Sequence, residues 1–155
     1  MRVRGFTLIE MLVVLTLMAI LAGAARPLLE LSVQRSREHE LRQALRSVRT
    51  ALDAYKKAVE LGAVAKRAED SGYPPTLNVL VAGVADAKSP EGKKIYFLRR
   101  LPRDPFADAS LPAAETWGLR AGDSPPDEPQ PGRDVFDIYS RSERRALDGT
   151  KYRDW

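Results

Sequence analysis

The chain begins with an apolar segment that constrains its fold more than any other feature. Residues 6–25 contain a single charged side chain, Glu10. As an α-helix these 20 residues would be about 30 Å long, which is enough to cross the hydrocarbon core of a bilayer. Arg2 and Arg4 precede the segment, and basic residues in this position stay on the cytoplasmic side. We therefore expect a single-pass helix with the rest of the chain outside the cytoplasm.

Glu10 distinguishes three interpretations of this segment. It could be a cleaved secretory signal, with Ala22-Gly23-Ala24 as the cleavage site, or an uncleaved anchor. Neither accounts for Glu10, because a carboxylate near the bilayer centre costs about 2–3 kcal/mol and is usually retained for a partner. The third interpretation rests on the residues that surround Glu10.

The string Gly5-Phe6-Thr7-Leu8-Ile9-Glu10 before a long apolar helix resembles the type III signal of the type IV pilin and pseudopilin superfamily. The resemblance implies that prepilin peptidase cuts after Gly5, removing a leader of residues 1–5. It also implies N-methylation of Phe6 and pairing of Glu10 with the N-terminal amine of a neighbouring subunit. Two charges that are each costly in an apolar bundle become tolerable together. Pro27 stands where many pilins carry a helix-kinking proline.

Beyond Pro27 the apolar residues recur at helical spacing, which predicts one helix from Phe6 to Leu61 that ends near Gly62. Residues 6–27 would be its membrane and assembly half, and residues 28–62 an amphipathic half that must pack against something. We call the apolar face of the second half the helix stripe. It consists of Leu41, Ala44, Leu45, Val48, Ala51, Leu52, Tyr55, Ala58 and Val59.

Residues 63–155 have the turn and strand character of a small globular part. A short helix entered near Thr76 is expected to turn Leu77, Leu80 and Val81 inward. Strands are expected over residues 117–120 and 134–140, with an exposed proline-rich loop at 123–132 between them. In the second strand, Val135, Asp137 and Tyr139 should share one face, and Phe136 and Ile138 the other. Antiparallel pairing of these strands over the helix stripe predicts an α+β fold.

Motifs between residues 72 and 155 sharpen the resemblance. In chain order they are G-Y-P-P-T-L, L-P-x-D-P-F, W-G, V-F-D-I-Y-S and D-G with a later D-W. They resemble the major pseudopilins of bacterial type II secretion systems. This implies a pilin-like fold and a non-enzymatic subunit of a periplasmic fibre, the pseudopilus. The implied partners are further copies of the chain, minor pseudopilins, an inner-membrane assembly platform and membrane lipid. A cytoplasmic ATPase would supply energy, since the sequence contains no G-x-x-x-x-G-K-[ST] loop.

The same resemblance implies a calcium ion in the C-terminal loop, and oxygen ligands on a flexible loop suit calcium. The candidate ligands are Asp148, Asp154, Ser142 and Glu143. The sequence departs from the family pattern, because Ser142 replaces a glycine and inserted residues include Arg144 and Arg145, which oppose a cation. An arginine–carboxylate network without metal, or a simple turn at Asp148-Gly149, remains an alternative.

Composition limits the other function classes. The chain has no cysteine, which excludes disulfides, thiol nucleophiles and thiolate metal sites. Its 25 basic and 21 acidic residues are mixed, so a nucleic-acid partner is not expected. His39 lies between two glutamates off the helix stripe and has no evident catalytic partner. The rival functions are a minor pilin of a type IV pilus, a DNA-uptake pseudopilin, and a secreted soluble domain cut after Ala24.

Overall fold

The computed structural model describes residues 5–66 and 69–155, and of residues 24–28 it describes the backbone alone. The chain divides into two compact units, Met1–Ser36 and Arg37–Trp155. The helices are α1 (Leu8–Glu60) and α2 (Val79–Ala82), and the strands are β1 (Val84–Ala85), β2 (Lys94–Ile95), β3 (Trp117–Arg120) and β4 (Asp137–Ser140). Short 3₁₀ helices cover Ala113–Thr116 and Tyr152–Asp154. The predicted α+β class is confirmed.

Helix α1 ends where the sequence predicted. Gly62 adopts a left-handed backbone with φ of 70°. The amide of Ala63 donates to the carbonyl oxygen of Ala58 at 2.8 Å, and the amide of Gly62 donates to that of Val59 at 2.9 Å. This arrangement satisfies carbonyl groups that the helix end leaves without a partner, and it favours glycine at the left-handed position.

In the first unit, every described side chain of residues 5–23 is exposed. Within residues 5–66 and 69–155, the structure contains no helix that is long and apolar enough to span a membrane. The membrane half over residues 6–27 therefore stays a prediction, as do the other domain limits. Pro27 lies within α1, but its side chain is outside those described, so its predicted kink also stays a prediction.

In the second unit, the core forms on the helix stripe, whose residues are buried except for the partly buried Ala58. The C-terminal part covers the stripe with fully buried side chains from separate segments. They are Leu80, Trp117, Ile138 and Tyr152. The predicted packing of an amphipathic helix half on a small α+β part is confirmed, because these residues and the stripe form one continuous apolar cluster.

Strands β3 and β4 pair antiparallel, with Trp117 opposite Ser140 and Arg120 opposite Asp137. The bounds predicted for β3 are confirmed, whereas β4 is shorter than predicted. The W-G motif has a steric reason, because a Cβ at Gly118 would lie 2.3 Å from the Tyr139 ring. No alanine could stand there without moving that ring.

The predicted alternation of residues 134–140 was wrong for Val135. Val135 and Ile138 are both buried, although alternation places them on opposite faces. The reason is that β4 begins at Asp137. Val135 lies before the strand, where its amide donates to the carbonyl oxygen of Pro74 at 2.8 Å. Strict alternation holds only within a paired strand.

The region between the helix and β3 differs from prediction in two details. Helix α2 begins at Val79, later than the entry predicted near Thr76, and Val81 is only partly buried, whereas Leu77 and Leu80 are buried. The antiparallel β1–β2 hairpin was not predicted. Each of its strands has two residues, which is too short to produce a periodic pattern.

Shortening a stripe residue should destabilise the second unit. Leu52 is 1% exposed, so we expect Leu52→Ala to lower the free energy of unfolding by about 2–5 kcal/mol through lost burial and a residual cavity. Leu61 is 59% exposed and serves as the control site. Leu61→Ala should change the free energy of unfolding by less than about 0.5 kcal/mol. Denaturant unfolding of the full chain in detergent, followed by tryptophan fluorescence, measures both. Equal losses of stability in the two variants would contradict the assignment of Leu52 to the core.

Candidate functional site

The predicted cleavage bond lies just before α1. Gly5 and Phe6 are outside the helix, and Phe6 is 73% exposed. Apart from its chain neighbours, none of the described residues has an atom within 4 Å of a Cβ built on Gly5. Accessible, non-helical backbone is what a protease requires. The remaining leader residues 1–4 lie outside the described residues.

Glu10 occupies the first turn of α1, and the residue before the helix caps that turn. The Oγ1 of Thr7 accepts a hydrogen bond from the Glu10 amide at 3.3 Å, and the Thr7 carbonyl oxygen accepts one from the Met11 amide at 3.2 Å. Thr7-x-x-Glu10 therefore has the spacing of a capping box, although the described contact is the threonine half of it. An acidic side chain in the first turn is also favoured by the helix dipole.

This placement adds a local role for Glu10 to its predicted assembly role. The structure contains one copy of the chain, so pairing of Glu10 with a neighbour's amine stays a prediction. The two roles are compatible, because the cap uses the Glu10 amide and leaves the exposed carboxylate for another contact.

The motifs of the C-terminal part meet in space around one buried carboxylate. Asp104, from L-P-x-D-P-F, is 2% exposed and accepts hydrogen bonds from Ser140 Oγ at 2.5 Å and from the Phe106 amide at 2.8 Å. The indole of Trp117, from W-G, donates to the Pro102 carbonyl oxygen at 2.9 Å. These contacts fix the end of β4, from which residues 141–155 continue. We call residues 141–155 the C-terminal loop.

Asp148 is the predicted calcium ligand with the most described contacts. Its Oδ1 accepts hydrogen bonds from Thr150 Oγ1 at 2.6 Å and from the Thr150 amide at 3.0 Å. These bonds hold the pKa of the Asp148 carboxyl below its ordinary value, and the positive charge of Arg42 lowers the pKa further. Arg42 lies 3.6 Å from Oδ2, but both side chains are about half exposed, so the ion pair contributes little.

The other predicted ligands do not join Asp148. Ser142 Oγ accepts a weak hydrogen bond from the Arg144 amide at 3.4 Å, and Glu143 and Asp154 are exposed. Among the described residues, no three acidic, histidine or cysteine side chains come close enough to hold a metal ion. The predicted ligands therefore do not fit a calcium cage as they are placed, and calcium binding stays a prediction.

Two side chains of α1 that sequence reasoning missed hold the C-terminal loop and β4. Glu38 is 6% exposed, and its Oε1 accepts hydrogen bonds from the Leu147 amide and the Tyr152 hydroxyl, each at 2.9 Å. Arg49 donates to Asp137 at 2.8 Å, and a further nitrogen of its guanidinium donates to the Trp155 carbonyl oxygen at 2.8 Å. The Arg49 guanidinium thus satisfies acceptors on β4 and in the C-terminal loop, both of which lie far from α1 in the sequence.

A signal for Glu38 exists in the sequence. Glu38 lies three residues before Leu41, where the next position of the helix stripe falls. A glutamate in a position that faces the core requires hydrogen-bond donors. Arg49 lies four residues after Leu45 on the edge of the stripe, where a long side chain reaches past the core.

The chain matches one family model and several curated proteins. The family described as "Prokaryotic N-terminal methylation motif" matches residues 1–25. The type II secretion system core protein G of Klebsiella michiganensis is 31% identical over 107 residues, which are 66% of this chain and 68% of that protein. The core protein G of Klebsiella pneumoniae is 30% identical, over 68% of this chain and 70% of its own length.

The protein of the same name from Dickeya chrysanthemi is 29% identical, over 68% of this chain and 64% of its own length. No solved structure matches the chain at a significant level. The matches to the Klebsiella proteins cover more than two thirds of each relative at 30% identity or more. The chain therefore belongs to the family of type II secretion system core protein G.

Proposed function

We propose that this chain is a structural pseudopilin, which polymerises into the periplasmic pseudopilus of a type II secretion system and so drives protein export. The chain contributes packing surfaces to a fibre, and it catalyses no reaction. Energy for fibre growth comes from other components of the secretion system.

One observation carries the proposal. The chain matches the N-terminal methylation motif over 25 residues, but it matches core protein G over 107. The longer match must extend well beyond the N-terminal segment, which pilins and pseudopilins of other systems also have. It therefore supports the secretion branch over a pilus or DNA-uptake system.

The apolar first half of α1 supports the assembly mechanism. Residues 11–15 form more than one turn of α1, and all five are exposed apolar side chains. In water such a surface is unfavourable, so it needs lipid before assembly and neighbouring helices after it. A head-to-tail contact between identical subunits that does not close into a ring produces a helical fibre.

Processing connects Gly5, Phe6 and Glu10. Cleavage after Gly5 creates an ammonium group on Phe6, four residues before the Glu10 carboxylate. Inside an apolar helix bundle each charge would be costly alone, so a subunit that docks in register pairs them. A misplaced subunit would leave a carboxylate buried without a partner, which makes the pair a criterion for correct docking.

The proposed location follows from the same features. The precursor is inserted in the inner membrane as a single-pass protein, with Arg2 and Arg4 in the cytoplasm and the second unit in the periplasm. There it meets prepilin peptidase, the assembly platform and the minor pseudopilins. Membrane lipid surrounds the apolar half of α1 until the subunit enters the fibre.

Removing the charge of Glu10 should block assembly without blocking processing. We expect Glu10→Val and the nearly isosteric Glu10→Gln to be cleaved after Gly5 but to reduce fibre yield and cargo secretion by about tenfold or more, because an amine is left unpaired in an apolar bundle. Fibre electron microscopy and a secretion assay in the native cell measure this. Glu40→Gln, on the exposed side of α1, is the control. Normal fibres and secretion from both Glu10 variants would contradict the pairing.

Enlarging Gly5 should block processing. The peptidase must accommodate a very small residue before the cleaved bond, so Gly5→Leu should accumulate as the precursor. Gly23→Ala is the control, because a Cβ at Gly23 meets no described side chain within 4 Å and the residue lies 18 positions after the cleaved bond. Mass spectrometry of the membrane fraction distinguishes the two forms. A fully processed Gly5→Leu chain would contradict the type III signal.

A further inference from the structure

The C-terminal loop is joined to α1 through a buried carboxylate that the proposed function does not use. Glu38 accepts hydrogen bonds from the Leu147 amide and the Tyr152 hydroxyl, which lie five residues apart in the loop. One acceptor oxygen thus fixes two points of the loop relative to the helix. Tyr152 is 0% exposed, and its ring stacks on Phe106 with centroids 4.1 Å apart.

The chemistry of these contacts makes the carboxylate a strong organiser. A buried carboxylate is tolerated only when donors satisfy it, because burial removes its hydration. Hydrogen bonds to an ionised acceptor are roughly twice as strong as those between neutral groups. The loop therefore gains most when both of its donors face Glu38, and a rearrangement that removes them takes two hydrogen bonds from a buried carboxylate.

The charge of the C-terminal loop favours an anion as its organiser. The loop contains five basic and three acidic side chains, a formal charge of +2. Cation sites are built from an excess of oxygen ligands with negative charge. A carboxylate supplied by α1 complements this loop, whereas a divalent cation would add to its positive charge.

Many of the loop's oxygen atoms already accept hydrogen bonds within the loop. The Asp148 carboxylate accepts from Thr150, as described above. Six described backbone carbonyl oxygens of the loop accept bonds of 2.8–3.4 Å from other loop residues. Among them are those of Arg144 with the Tyr152 amide, Thr150 with the Ala146 amide, and Gly149 with the Arg145 guanidinium. A metal ion would have to displace such contacts.

Two arginines on the same side of α1 support the same attachment. Arg42 lies four residues after Glu38 and stacks over the Trp155 ring at 4.0 Å. Arg49 donates to the Trp155 carbonyl oxygen at 2.8 Å. Together with Glu38 they form a polar row beside the helix stripe, and each contacts the loop directly.

We propose that the Glu38 carboxylate takes the organising role that the family resemblance assigns to calcium, so that the C-terminal loop of this chain keeps its conformation without a bound cation. Glu38 is thus a positioning residue for the loop. The proposal concerns the fold of the loop and does not depend on which system uses the subunit.

Amide hydrogen exchange of the full chain in detergent tests the proposal. In the wild type, we expect exchange of the Leu147 amide to be equal in excess calcium chloride and in EGTA. Glu38→Ala should accelerate exchange of this amide by about tenfold or more, because it loses its acceptor. The amide of the buried Val135, which donates to the Pro74 carbonyl oxygen at 2.8 Å, should be unaffected and shows that the core is folded. Glu40→Ala, at an exposed position of the same helix, should leave Leu147 at the wild-type rate.

Tyr152→Phe keeps the test decisive if Glu38→Ala fails to fold. The variant keeps the ring that stacks on Phe106 and removes the hydroxyl that donates to Glu38. We expect exchange of the Leu147 amide to rise by about threefold and to remain insensitive to EGTA. Slower exchange of Leu147 in calcium than in EGTA would overturn the proposal. Wild-type exchange in both the Glu38 and the Tyr152 variants would overturn it as well.

Discussion

The apolar stripe of α1 is the constraint on which the second unit depends. A helix with one apolar face cannot remain uncovered in water, and residues 63–155 contain too little regular structure to fold around a core of their own. The two sheets have two strands each, and both depend on side chains of the stripe for burial. The C-terminal part is therefore best understood as a cover for the helix.

The sequence predicted most where a pattern repeats. The stripe spans five turns, so its period is evident, and the end of α1 at Gly62 follows from the same pattern. Strand β3 was predicted from the short run Trp117–Arg120, which stands before the proline-rich loop at 123–132. The β1–β2 hairpin could not be predicted, because strands of two residues have no period. The burial of Val135 could not be predicted either, because a hydrogen bond to Pro74, which is distant in sequence, positions this residue.

The site residues were predicted in two ways, from a contiguous motif and from a resemblance to a family. Gly5, Phe6 and Glu10 form a contiguous motif, whereas the ligands proposed for calcium were carried over from a resemblance across a loop with insertions. The contacts that hold this loop come from Glu38 and Arg49 on the helix, about 100 residues away in the chain. The local signal for such long-range pairs is limited to the spacing of Glu38 and Arg49 from residues of the stripe. Thr7 as the helix cap was also missed, although Thr7-x-x-Glu10 has the capping-box spacing.

Processing and assembly as a pseudopilin would leave a characteristic N-terminus on the mature chain. The measurement is the intact mass and N-terminal sequence of the protein extracted from the membranes of its native cell. We expect a chain that begins at Phe6 and carries a methyl group on its amine, so that Glu10 is retained beside a new charge. A chain that begins at Ala25 would contradict it, because Glu10 would be removed with an ordinary signal peptide.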